Sequence, residues 1–131
     1  MFSKETERPQ VIDHRWYFEL VAPTRPGAQD LAFALEHLER LDGTAHGVRP
    51  RLLNLERVQS TDLHYEDLAR FRDARLLSLG DDARARIPFA VVAPQMLSFG
   101  MARMYQSIIP EEMYRMEIFT EREKALEWLR R

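Results

Sequence analysis

Three side chains of the sequence combine reactive or charged chemistry with a position where a ligand would be expected. Ser98 lies at the start of a predicted helix, just beyond the carboxyl end of an apolar strand. Open α/β sheets bind ligands at that end and helix N-termini favour anions, which makes Ser98 a candidate anion contact. His64 lies at the start of another predicted helix, and Arg72 falls in that helix's apolar stripe between Leu68 and Leu76. We take Ser98, Arg72 and His64 as candidate ligand or anion residues.

Each candidate also has a structural interpretation, and the sequence leaves both open. Ser98 fits the role of a residue that caps the first turn of its helix. Arg72 can extend its guanidinium past an apolar stem to solvent, or pair with a buried carboxylate. His64 fits an ordinary surface or capping role.

No catalytic, metal-binding or phosphate-binding motif accompanies these residues. The sequence contains no GxGxxG, GxxxxGK[ST] or GxSxG pattern and no cysteine. His14, His37, His46 and His64 do not show HExxH or another close ligand spacing. We therefore predict a protein that is not an enzyme and that has no catalytic residues, metal site or cofactor; an enzyme acting through Ser98 or His64 is the remaining alternative.

Length and composition indicate one globular domain. The chain has 131 residues, of which 45% are hydrophobic and 31% charged, with 19 basic residues against 21 acidic ones. This balance argues against nucleic-acid binding, which usually needs a basic excess. The opening MFSKETERPQ lacks an apolar signal-peptide core, and no window of the chain is apolar enough to span a membrane. We expect a cytoplasmic location.

The elements that must position these side chains alternate along the chain. Period-2 and unbroken apolar runs predict strands at 15–22, 51–58, 87–93 and 114–119, and helical stripes predict helices at 28–41, 61–79, 96–109 and 121–130. This order implies right-handed crossovers and a mostly parallel sheet. The uniformly apolar 87–93 is expected at the centre. In 15–22 we expect Trp16, Phe18 and Leu20 inside, and Arg15, Tyr17 and Glu19 outside.

The fold class that follows is α/β, a single domain with a four- or five-stranded, mostly parallel sheet. Residues 1–14 are polar, and they are expected either to be disordered or to add a short antiparallel edge strand through Val11 and Ile12. Residues 15–131 form the domain itself. A solvated face is predicted where arginines alternate with aspartates, and Arg72 in the apolar stripe is the exception. The other members of this stretch are Arg70, Arg75, Arg84, Arg86, Asp67, Asp73, Asp81 and Asp82.

Three passages resemble the SpoIIAA-like proteins of the STAS superfamily, a largely uncharacterised bacterial branch. They are LLNLERVQSTD at 52–62, FAVVAPQMLSFGMARMY at 89–105 and MEIFTEREKALEWL at 116–129. The resemblance covers residues 50–131 well, and the first third through its order of elements. It implies a four- or five-stranded sheet with helices largely on one side and no known catalytic machinery.

The resemblance also bears on regulation and on ligands. Anti-sigma-factor antagonists of the wider superfamily carry a phosphorylatable serine just after an aspartate at the end of this type of strand. Asp62 matches that aspartate, but Leu63 follows it, and only Ser60 and Thr61 stand just before. A phosphorylation switch is therefore left open. Related proteins resemble lipid-carrying CRAL-TRIO-type domains, which suggests a ligand-binding alternative.

An interaction surface is predicted on the helix at 96–109. Its core stripe is expected to comprise Leu97, Met101, Met104, Tyr105 and Ile108, so Met96, Phe99 and Arg103 fall on the far side, as Phe33 does on the first helix. An exposed Met–Phe pair beside an arginine resembles an interface core, unless a neighbouring helix or the N-terminal segment covers Phe99. We therefore predict a non-enzymatic regulatory or protein-interaction domain that forms a homodimer. The alternative is a small carrier or sensor of a hydrophobic or amphipathic ligand.

Overall fold

The computed structural model describes residues 8–44 and 48–131, which contain five strands and four α-helices. The strands are β1 (Gln10–Asp13), β2 (Phe18–Val21), β3 (Arg51–Asn54), β4 (Ile87–Val92) and β5 (Tyr114–Phe119). The helices are α1 (Ala28–Asp42), α2 (Tyr65–Leu79), α3 (Met96–Ile108) and α4 (Arg122–Leu129), and a 3₁₀ turn, Gly80–Arg84, follows α2. Residues 1–7 of the predicted N-terminal segment and His46 lie outside the described residues.

The strands form one sheet in the order β1-β2-β3-β4-β5. β1 pairs antiparallel with β2, and every other pair is parallel. The mostly parallel α/β sheet is thus confirmed, and β1 is the antiparallel edge strand expected through Val11 and Ile12. β4 has a neighbour on both sides and is almost completely buried, as its apolar sequence predicts, but the middle strand of the five is β3.

Helices cover both faces of the sheet unequally. Phe18 and Phe89 lie in one row of paired residues across the strands, and the side chains of this row point toward α1, α2 and α3. The neighbouring row, which includes Leu52 and Ala90, packs against Ala125 and Leu129 of α4. Three helices therefore share one face, and α4 covers the other. None of the helices in the described ranges is both long and apolar enough to cross a membrane.

The strand expected at 15–22 is shorter than predicted and does not alternate between core and solvent. Arg15 adopts a positive φ of 78°, which ends extended backbone before β2 begins. Tyr17 and Glu19 are buried, whereas Trp16 is 41% exposed. The predicted alternation is wrong because α4 covers the face of the sheet on which Tyr17 and Glu19 lie, and that face was expected to be exposed to solvent.

The buried face of α3 is also rotated from the predicted one. Ser98, Ala102 and Tyr105 are its buried residues, whereas Leu97 and Met104 remain about two-fifths exposed. Tyr105, Met101 and Ile108 of the predicted stripe do pack against the core, and Ala102 joins them there. The apolar stripe predicted for this helix is therefore correct only in part.

A side chain of α3 covers the free edge of β5. Backbone groups along a strand point alternately to opposite neighbours, and the Met113 and Phe119 carbonyls accept hydrogen bonds from the β4 side. Met116 has the opposite parity, so its carbonyl points away from β4. The Gln106 side-chain amide donates to that carbonyl at 3.0 Å. The centre of this sheet edge is thereby satisfied from within the molecule.

Candidate ligand cavity

An apolar cavity of about 120 Å³ lies between the sheet and helices α1, α2 and α3. Its inner wall is built mainly of aliphatic and aromatic side chains, including Leu20, Leu53, Leu68, Phe89 and Ala102. Half-buried Gln10 of β1 and Phe33 and Ala34 of α1 also line it. An engineered apolar cavity of roughly 150 Å³ holds benzene, so this one suits a small ring or a short chain.

Small residues and a proline-bounded turn leave this space open. The segment from Pro23 to Gly27 separates β2 from α1, and Pro23 and Pro26 both line the cavity. Ala34 on α1 and Ala102 on α3 reach the wall with only a methyl group. The methyl groups of these two alanines are too short to fill the space between the helices and the sheet, so a cavity remains there.

Tyr105 lines the cavity, but its hydroxyl oxygen has almost no accessible surface. The residue is 7% exposed, and its hydroxyl makes no hydrogen bond within the described part of the chain. Burial raises the pKa of Tyr105 well above its usual range, so the hydroxyl keeps its proton. A buried hydroxyl without a partner is uncommon and calls for an explanation.

A buried cluster of charges lies behind the cavity wall. The guanidinium groups of Arg51 and Arg75 are fully buried, and both donate to the Asp42 carboxylate, at 2.9 and 2.8 Å. Arg51 also lies over the Phe18 ring, 4.7 Å from its centroid. Arg75 donates to the Tyr114 hydroxyl at 3.4 Å. These groups place two cations against one carboxylate inside the fold.

The prediction of a solvated face is wrong for Arg75. It lies on the buried side of α2 because it follows Leu68 by two helical turns and precedes Leu79 by one, and both leucines are buried. That spacing was visible in the sequence. What the sequence did not show was the carboxylate of Asp42, which comes from α1.

A second buried carboxylate lies on the opposite face of the sheet. Glu19 accepts hydrogen bonds from Arg122, Asn54 and His14 at 2.7 to 2.9 Å, and its side chain is 3% exposed. Burial raises the pKa of Glu19, but these hydrogen bonds outweigh burial and lower the pKa to about 2. Glu19 is fully paired, so this cluster fixes α4 on the sheet and offers no open acceptor.

Ser98 lies where predicted, at the start of α3, with its hydroxyl already engaged. It is completely buried and exchanges hydrogen bonds with the backbone of Gln95, donating to the carbonyl at 3.1 Å and accepting from the N–H at 3.4 Å. This is the geometry of a residue that caps its own helix.

Arg72 and His64 do not join Ser98. Arg72 donates to Asp73 and to the carbonyl of Ile108, at the far end of α3 and about 15 Å of helical rise from Ser98. His64 is exposed, and its backbone N–H donates to the Asp67 carboxylate at 2.8 Å. The three candidates therefore form no common anion site.

The four residues of the predicted interaction surface lie in two places. Met96, Phe99 and Arg103 are exposed on α3, with Met96 93% exposed, and Leu97 and Met104 join them there. We call these five residues the α3 patch. Phe33 is instead half-buried on α1, where it lines the cavity and its ring contacts His37 with centroids 3.9 Å apart.

The segment that the resemblance aligns with a phosphorylation site is structured by other contacts. Asp62 forms an ion pair with Arg25 at 2.8 Å, and the Thr61 hydroxyl donates to the Pro26 carbonyl at 3.1 Å. Leu63, at the position expected for serine, is half-buried and lines the cavity. Within residues 8–44 and 48–131, no three His, Asp or Glu side chains are grouped so as to hold a metal ion.

The fold and site define an α/β domain with a mostly parallel five-stranded sheet, three helices on one face and an apolar cavity beneath them. The chain is similar to the crystal structure of an uncharacterised protein of the DUF3478 family, with a SpoIIAA-like fold, from Shewanella loihica. The TM-score is 0.59 at 16% identity, over 92% of this chain and 91% of that one. The chain thus has a SpoIIAA-like fold, as its resemblance implies. No protein-family model and no curated protein matches the sequence.

Proposed function

We propose that the protein is a non-enzymatic binding domain that holds a small apolar ligand in the cavity between the sheet and α1, α2 and α3. The observation that carries this proposal is the cavity itself, about 120 Å³ in volume and lined predominantly by apolar side chains. Moving an apolar solute from water into such a space is favourable, because its apolar surface leaves water.

The candidate nucleophile and base support a role without catalysis. The Ser98 hydroxyl is occupied by the Gln95 backbone, and His64 is exposed at the start of a different helix. Nucleophilic catalysis requires such a pair within hydrogen-bonding reach. Binding, unlike catalysis, needs only the cavity.

The test compares two substitutions on α1. Ala34 lines the cavity, whereas Ala32 is exposed on the same helix. Leucine at position 34 fills part of the cavity, so we expect Ala34→Leu to weaken binding of methylenecyclohexane by at least about fivefold, because the leucine takes the space of the ligand. Ala32→Leu is the matched control and should bind as the wild type does. Affinity is measured by NMR titration, after native mass spectrometry of the freshly purified protein for any retained ligand.

Either of two results would contradict the proposal. One is a wild-type protein that shows no saturable shifts with the hydrocarbon and carries no co-purified mass. The other is equal binding by the two leucine variants, which would place the ligand outside the cavity.

The α3 patch favours a second candidate function, self-association as an interaction domain. It gathers four of the large apolar side chains that are exposed in the described residues, and Arg103 lies beside them. Apolar area of this kind is typical of the centre of protein interfaces. The partner we propose is a second copy of this chain, since a two-fold axis would bring the same patch of both copies together.

A further inference from the structure

We infer that the ligand of the cavity is a single aromatic hydrocarbon ring, held by aromatic side chains of the sheet and of the helices. This inference rests on the proposed function of the cavity, and it adds the chemical class of the ligand. An apolar lining by itself is compatible with saturated and aromatic hydrocarbons alike, so the choice between them depends on which apolar groups form the wall.

The first argument is the size of the cavity. Its volume of about 120 Å³ is slightly smaller than the roughly 150 Å³ of an engineered cavity that holds benzene. It therefore has room for one six-membered ring, whereas the acyl chain of a membrane lipid does not fit within it. The size alone limits the occupant to a ring or a short chain of about six carbons.

The second argument concerns charge. Among the described residues, Asp30 is the one acidic or basic residue that lines the cavity, and its carboxylate accepts from the backbone N–H of Gly27 at 2.8 Å. The guanidinium groups of Arg51 and Arg75 donate to Asp42, and neither arginine lines the cavity. A buried anion without a direct cation is costly, so a fatty acid or another carboxylate is disfavoured as the ligand.

The third argument is the arrangement of aromatic rings in the wall. On the sheet, Phe89 of β4 and Tyr114 of β5 form a tilted pair with centroids 4.9 Å apart and an interplanar angle of 54°. On the helices, Phe71 of α2 and Tyr105 of α3 form a second tilted pair, with centroids 6.0 Å apart and the same angle. All four residues line the cavity, so aromatic side chains reach it from the sheet and from the helices.

Such a wall favours an aromatic ligand over a saturated one. Tilted contacts between two rings, with centroids about 4.5 to 7 Å apart, stabilise a pair beyond the contribution of buried apolar area. A ligand ring in contact with Phe71 or Phe89 adds contacts of this kind, whereas a saturated ring has no π-electrons with which to form them. Met101 and Met116 also line the cavity, and thioether sulfur atoms make favourable contacts with aromatic rings.

The test uses two ligands with the same carbon skeleton, toluene and methylenecyclohexane, which differ in whether the ring is aromatic. NMR titrations give the affinity of each for the wild type, Phe71→Leu and Leu63→Val. Both residues are half-buried and line the cavity, but Phe71→Leu removes an aromatic ring from the wall, whereas Leu63→Val removes only aliphatic volume. The measured quantity is the ratio of the two affinities, because the hydration of each free ligand is the same for every variant.

We expect Phe71→Leu to lower the ratio of toluene to methylenecyclohexane affinity by about two- to tenfold, which is the contribution of one aromatic contact. Leu63→Val is the matched control and should leave the ratio unchanged, since its wall still contains the same rings. Phe89→Leu is a second test variant and should lower the ratio as Phe71→Leu does. It provides the comparison if Phe71→Leu does not fold.

With both ligands bound, an unchanged ratio in Phe71→Leu and Phe89→Leu overturns the inference and leaves the proposed function intact. A ratio that falls equally in Leu63→Val has the same meaning, because the preference then depends on volume and not on aromatic contact. Failure of the wild type to bind either hydrocarbon overturns the proposed function and the inference with it.

Discussion

Arg122 binds the carboxylate of Glu19 through two hydrogen bonds of 2.7 Å, one to each carboxylate oxygen. The pair joins the first residue of α4 to β2 across 103 positions of sequence. α4 is eight residues long, and among the described helices it is the one that packs on this face of the sheet. A bidentate ion pair to a buried carboxylate therefore fixes the first turn of a helix whose later residues, Ala125 and Leu129, are buried against the sheet.

The first prediction concerns acid stability. Because the pKa of Glu19 falls from 4.5 in the unfolded chain to about 2 in the fold, its ionised form stabilises the protein above about pH 4.5. This stabilisation, of order 3 kcal/mol, is lost as the pH falls from 4.5 toward 2. Glu19→Gln should lower the free energy of unfolding at pH 7, and the difference from the wild type should shrink below pH 4.5.

Urea denaturation at pH 7, 5, 4 and 3 measures this difference. Glu36→Gln is the control, because its ion pair with Arg40 is two-thirds exposed at both residues and should contribute less than about 0.5 kcal/mol. A difference between wild type and Glu19→Gln that stays constant over this pH range would show that Glu19 does not titrate as described.

A second prediction concerns the buried arginine cluster. Asp42→Asn leaves two buried guanidinium groups without their carboxylate, so we expect the free energy of unfolding to fall by about 3 to 5 kcal/mol. Adding Arg75→Met removes one of the two cations and should recover part of the loss. Asp73→Asn, which breaks the more exposed pair with Arg72, is the control and should have little effect. Simple additivity of Asp42→Asn and Arg75→Met would contradict the shared network.

A third prediction concerns the stability of the ligand-free protein. Since the Tyr105 hydroxyl has no partner, Tyr105→Phe should raise the free energy of unfolding by about 1 kcal/mol. Tyr114→Phe should lower it by a similar amount, because it removes the acceptor for Arg75. Chemical denaturation of both variants without ligand provides the comparison. A clear loss of stability in Tyr105→Phe would mean that the hydroxyl already has a partner.

The α3 patch yields a fourth prediction. Phe99→Asp places a charge in the patch, so it should abolish self-association without unfolding the monomer. Sedimentation velocity over a concentration series measures association, and circular dichroism checks folding. Leu77→Asp is the control, because Leu77 is 85% exposed on α2 and lies outside the patch. A dimer that survives Phe99→Asp, or a wild type that remains monomeric throughout, would remove the patch as a homodimer interface.

The order of elements was predictable because periodicity is a local property of the chain. Six apolar or nearly apolar residues in succession predict strand β4, and Val11 and Ile12 indicate the edge strand β1. Neither inference requires knowledge of a distant partner. Predicting that Glu19 is buried does require knowledge of a distant partner. Its carboxylate is stable in the interior because Arg122, from the other end of the chain, donates hydrogen bonds to it.

The candidate site was less predictable for a different reason. A cavity is unoccupied volume, and it depends on how residues such as Ala34, Ala102 and Leu63 meet across several elements. Tyr105 was placed correctly on the inner stripe of its helix, but periodicity cannot show that its hydroxyl lacks a partner. The α3 patch was predicted in part, since Met96 and Phe99 are exposed while Leu97 and Met104 were expected inside.

The bond from Gln106 to the Met116 carbonyl has a consequence for the behaviour of the protein at high concentration. A free parallel edge such as β5 is a template on which another chain can add a strand, and repeated addition produces fibrils. Gln106 occupies the central acceptor of that template, but it belongs to a helix that local unfolding can release. Resistance to fibril growth at this edge is therefore tied to the local stability of α3, and Gln106→Ala removes the block while leaving the strand itself unchanged.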